Sequence, residues 1–165
     1  MEPCHDDPNF ELIVTLFEID VGRDPGAIAA FIQREHEFRF VVVEATDYTT
    51  YNNYCEDSNA GKLAVICARN TDENYKKTRC PPAEWDRRYG KHGLQSIWTT
   101  DILPCRVYLR HCALAAKKLG PVAEANFLDA TVLSDGCTTI REWLEQNPEI
   151  MDELPPESLI GRYSG

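Results

Sequence analysis

Apolar residues recur along this chain with two periods, one in each part. In the first two-thirds they form short β-branched or continuous runs. Glu11–Ile19 reads as a strand, Phe38–Glu44 as a second, Lys62–Ala68 as a third, and Ile97-Trp98 as a short fourth. Between the first two, Asp24-Pro25 marks a helix start that carries Ile28, Phe31 and Ile32 on one face and runs to about Glu35. The polar, Tyr- and Asn-rich stretch from Asp47 to Gly61 reads as a loop or hairpin excursion. The charged stretch Asn70–His92, interrupted by Pro81-Pro82, reads as loop with a short helix near Glu84–Tyr89.

From Pro104 onward the period becomes helical. Cys105, Leu109, Cys112, Ala116 and Leu119 follow at spacings of three and four, and Lys117, Lys118 and Gly120 supply a helix end. A short helix is predicted over Pro121–Asp129. Another starts at Thr139, whose Thr-x-x-Glu142 spacing is that of a capping box, and stops at Asn147-Pro148. An acidic turn, Glu149–Leu154, follows. The expected organisation is a flexible leader over 1–10, a single α+β domain over 11–154 and a C-terminal tail over 155–165. Its architecture is a small, mostly antiparallel sheet or barrel with flanking helices.

Composition narrows the function classes. A 165-residue chain that is 43% hydrophobic can bury a core of its own. Its net charge of −10 argues against a nucleic-acid surface and against an anionic membrane. No apolar run approaches the roughly 20 residues of a membrane span. The acidic start, Met1–Asp7, has neither the basic nor the apolar segment of a secretory signal, so a cytoplasmic location is expected. Seven irregularly spaced cysteines give no disulfide framework, and Cys67 and Cys112 read as small core residues.

The densest chemistry is Arg34-Glu35-His36-Glu37, where a predicted helix feeds a predicted strand. A carboxylate lifted from bulk water at such a junction can act as a general base at neutral pH. Glu35 is the candidate, with Glu37 and Arg34 as substitute or support; the alternative is a solvated helix end. On an extended path Glu35 and Glu37 share one face and His36 takes the other. The Trp85–Tyr89 segment, with Arg87 and Arg88, either holds a carboxylate ligand or is an ion-paired surface helix. His5, His36, His92 and His111 lack the spacing of a zinc site, so neither a metal nor a cofactor is expected. No phosphate-binding loop, dinucleotide fingerprint or nucleophile elbow occurs.

Several segments resemble the gamma-glutamylcyclotransferase-like family, in particular a bacterial and algal branch. They are Val14–Asp20 followed by a helix and the Arg34-Glu35 step, the proline-led stretch Pro104–Gly120 with its Tyr108-Leu109 pair, Asn126–Asp129, and Thr138–Leu144. The similarity covers about residues 12–147, with a poorly matched middle. It implies a compact fold around a small barrel, and cyclisation of a gamma-glutamyl amine or peptide to 5-oxoproline with Glu35 as the base. The chain departs from the family in one motif: no Tyr-Gly-Ser loop precedes Glu35, and Tyr163-Ser164-Gly165 has another order and place. A second expectation is an inactive interaction module, in which an open sheet edge recruits a protein partner or a second copy.

Overall fold

The computed structural model describes residues 11–47, 61–99 and 102–163. They are α+β: seven α-helices and one two-stranded antiparallel sheet among the described residues. The chain separates into two compact units. One runs from Thr15 to Trp98; the other joins residues 11–14 to the chain from Thr99 onward.

In the first unit, α1 spans Ala27–Arg34. The Asp24 carboxylate accepts the Gly26 N–H at 3.1 Å in the turn before the helix, so it shapes the approach rather than capping the first turn. Strands β1 (Arg39–Ala45) and β2 (Lys62–Ala68) pair in full register, from Arg39 opposite Ala68 to Ala45 opposite Lys62. Phe31 of α1 packs on Phe40 of β1, with ring centroids 5.5 Å apart.

Helix α2 (Asp72–Thr78) replaces what reads in sequence as loop. Thr71 caps it by accepting the Asn74 N–H, Asp72 and Glu73 lie in its first turn, and Lys76 and Lys77 in its last. Helix α3 (Pro82–Arg88) starts at a proline, whose missing N–H costs nothing there. The unit's core is aromatic and small: Tyr75, Cys80 and Trp85, with Tyr89 and Ile97 packed against them. The Lys76 ammonium lies 3.7 Å from the centre of the Trp85 indole.

Two predicted strands do not form. Residues 11–19 make no ladder, because β1 and β2 pair only with one another among the described residues. Instead, Asn126 of the second unit holds Glu11 and Ile13, donating to the Glu11 carbonyl and accepting the Ile13 N–H, each at 2.9 Å. Ile97-Trp98 is not a strand either: the Asp72 carboxylate takes the Ile97 N–H at 3.0 Å, and Ile97 packs on the aromatic core. Most of the predicted 47–61 excursion lies outside the described residues.

The second unit is helical. It contains α4 (Arg106–Lys118), α5 (Pro121–Ala130), α6 (Ile140–Gln146) and the short α7 (Ile160–Tyr163). On α4 the buried residues are Leu109, Ala113 and Ala116, whereas Cys105 and Leu119 are exposed. The buried face is thus turned toward the alanines, which let neighbouring elements approach closely. Leu109 joins Leu133, Ile140 and Ile150 in an aliphatic core lined by Phe127, Leu128, Trp143 and Leu144. The predicted capping box at Thr139 and Glu142 is complete on α6. The residues after Leu154 end in α7, where Tyr163 packs edge-on against Tyr108.

Candidate functional site

The Arg34–Glu37 cluster sits where α1 ends. Glu35 is the C-cap residue, its N–H bonded to the Phe31 carbonyl. The chain then turns: the Phe38 N–H donates to the Glu35 carbonyl at 3.2 Å before β1 begins. This turn replaces the extended path on which Glu35 and Glu37 share a face. The Glu35 carboxylate is held by Arg34, Nε to Oε1 at 2.7 Å, with its side chain 24% exposed. Its charge is felt at Cys67 on β2, where burial first and Glu35 second push the thiol pKa up.

His36 and Glu37 leave Glu35 and converge on two tyrosines. His36 Nδ1 lies 2.7 Å from the Tyr75 hydroxyl, the Tyr75 and Tyr89 hydroxyls lie 3.2 Å apart, and the Tyr89 hydroxyl donates to Glu37 Oε1. The Tyr75 side chain is fully buried. Burial, followed by the bond to Tyr89, raises its pKa; burial, followed by the bond to Glu37, raises that of Tyr89. The His36 pKa is lowered, first by burial and then by the Arg88 guanidinium. The backbone of the turn is clamped by Arg79, which donates to the His36 and Phe38 carbonyls at 3.3 and 3.1 Å, and by buried Asn70, which donates to the Glu37 carbonyl at 3.3 Å.

Tyr75 and Arg79 are the site residues that sequence reasoning misses. The signal for Tyr75 was present in the Thr71-to-Lys77 cap and charge pattern. Nothing local, however, joins position 75 to position 36. The Trp85–Tyr89 segment proves to be an ion-paired helix. Glu84 binds both Arg87 and Arg88, and those bonds, Arg87 first, hold its carboxyl down to about 2. From that segment Tyr89 hydrogen-bonds the acidic turn, and the Arg88 charge is felt at His36.

An open cleft of about 570 Å3 adjoins this turn through Asn70. It is lined by Arg39, Arg69, Asn70, Thr71, Asp72, Asn74 and Trp98, and neither Glu35 nor Glu37 lines it. Asp72 is held by the Ser96 hydroxyl and the Ile97 N–H, and Arg39 donates to the Arg69 carbonyl at 2.8 Å. Among the described residues no group of three or more His, Cys, Asp or Glu side chains is placed to hold a metal ion. No described helix is long and apolar enough to cross a membrane.

No protein-family model, curated protein or solved structure matches the chain.

Proposed function

We propose that the chain is a gamma-glutamylcyclotransferase-like protein in which Glu35 is the general base. The observation that carries this reading is the place of Glu35: a half-buried carboxylate at the helix-to-strand step, held by its neighbour Arg34. In the proposed reaction Glu35 takes a proton from the substrate's α-amino group. That nitrogen attacks the γ-carbonyl carbon of the same residue and closes a five-membered lactam. The bond from that carbonyl carbon to the leaving nitrogen breaks, and Glu35 returns the proton to that nitrogen. The cyclisation is internal to the substrate and consumes no water, and the reading invokes neither metal nor cofactor. A substrate held folded supplies the remaining help by proximity.

The test is 5-oxoproline release from a panel of gamma-glutamyl amines and peptides, with wild type beside Glu35→Gln and folding of both checked by circular dichroism. Release by wild type that is lost in the variant supports the reading. Absence of release from folded wild type overturns it.

One observation favours a second reading, an interaction module. The end of the sheet remote from α1 leaves Val42 65%, Leu63 80% and Val65 56% exposed on one face. Exposed apolar clusters on open sheets are common docking surfaces for proteins. The partner in this reading is a protein or a second copy, and sedimentation over a range of concentrations separates the two.

A further inference from the structure

Four polar side chains of the first unit are hydrogen-bonded in series: Glu37, Tyr89, Tyr75, His36. Counting protons along it gives every bond a direction. A carboxylate only accepts, and each phenol has one proton to give. Tyr89 gives its proton to Glu37. The 3.2 Å contact between the two hydroxyls therefore uses the proton of Tyr75. Tyr75 has none left for His36, so across the 2.7 Å contact Nδ1 is the donor. The opposite assignment leaves two hydroxyl oxygens 3.2 Å apart with no proton between them, so the line loses one of its three hydrogen bonds at a fully buried residue. The Cys80 thiol, also bonded to Tyr75, carries a proton of its own and leaves the count unchanged.

We infer that Glu37, Tyr89 and Tyr75 lock His36 in the Nδ1–H tautomer, so that Nε2 is the proton acceptor of this turn and Glu37 is a positioning residue. The two ring nitrogens of a histidine are set by the bond that one of them makes, and here that bond is relayed from a carboxylate two hydroxyls away. Among the described residues Nε2 has no hydrogen-bond partner. The charged groups around the ring oppose each other: Arg88 and Arg79 disfavour a second proton, Glu37 and Glu84 favour it, and burial disfavours it most. The neutral ring then presents a lone pair to an N–H or O–H donor, one residue from Glu35. The inference rests on the hydrogen-bond chain alone and stands whether or not the cyclotransferase reading holds.

Two-bond proton–nitrogen correlation spectra of the 15N-labelled full chain test it directly, with the His36 signals assigned by their loss in His36→Gln. At neutral pH the wild type should show Nδ1 in the protonated, pyrrole-like range and Nε2 in the unprotonated, pyridine-like range. On acidification the Nε2 signal should move and Nδ1 should barely change. Tyr89→Phe frees the Tyr75 proton for Nδ1 and should invert the neutral pattern. Glu37→Gln keeps an amide oxygen as acceptor and should retain it. A protonated Nε2 in wild type at neutral pH, or an unchanged pattern in folded Tyr89→Phe, overturns the inference. The wild-type reading needs no variant to fold.

Discussion

The two units treat their apolar residues differently. The second unit gathers aliphatic side chains from four places along the chain, Leu109, Leu133, Ile140 and Ile150, and seals them under Phe127, Leu128, Trp143 and Leu144. The first unit buries three apolar side chains, Tyr75, Cys80 and Trp85, among its described residues, and leaves much of its valine-rich sheet in water. Its interior is ordered by directed bonds instead: hydroxyl to hydroxyl, hydroxyl to carboxylate, guanidinium to carbonyl. Apolar packing is forgiving of direction and roughly proportional to area, whereas a buried polar chain must satisfy every member. The second unit is therefore held mainly by apolar packing, and the first by a small aromatic core tied to directed hydrogen bonds.

The largest expected effect breaks the aliphatic core. Ile150 is 1% exposed, and truncation to alanine removes three buried carbons and leaves a cavity. Ile150→Ala should cost about 3 kcal/mol in urea denaturation, within the usual range for such truncations. A loss below about 1 kcal/mol means that the second unit is not held by this cluster.

A smaller effect isolates the polar unit through pH. The His36 ring has a pKa below its ordinary 6.5, chiefly through burial. As the pH falls below that value, the unfolded chain takes up a proton that the native ring resists, so the unfolded state gains. The stabilising contribution is complete above the unfolded pKa and is lost progressively as the pH drops toward the folded one. Stability measured at pH values from 8 to 5 should fall on the acid side, and His36→Gln should flatten that part of the slope. An unchanged slope in the variant means that the ring titrates as it does in the unfolded chain.

The same contrast explains what the sequence made legible. Helices α4, α5 and α6 were readable because cap, period and stop agree at each: Pro121 opens α5, Thr139 and Glu142 close a capping box, and Asn147-Pro148 ends α6. The face of α4 was read one step off, since Leu119 and Cys105 fit the period but small Ala113 takes the buried place. In the first unit β1 and β2 were legible as β-branched runs. Residues 11–19 have the same composition but find no partner strand among the described residues, and strand propensity describes a fit to a neighbour more than to the residue itself. Helix α2 was lost because its single buried side chain, Tyr75, leaves no apolar period to detect. For the candidate site, the position of Glu35 at the end of α1 could be anticipated. The chain from Glu37 to His36 could not, because its bonds span 52, 14 and 39 positions.

The smallest expected effect sharpens the comparison most. Leu63 is 80% exposed, opposite Glu44 on β1. Leu63→Thr keeps strand propensity and removes little buried area, so thermal and urea unfolding should change by no more than about 0.5 kcal/mol. A null result in stability, together with a change in concentration-dependent sedimentation, identifies the sheet face as a docking surface for a second copy. A loss above about 1 kcal/mol has a different meaning: Leu63 is covered in the folded protein in solution, and the sheet face is a packed layer. The position thus decides whether the first unit's apolar sheet residues are exposed for recognition or are covered.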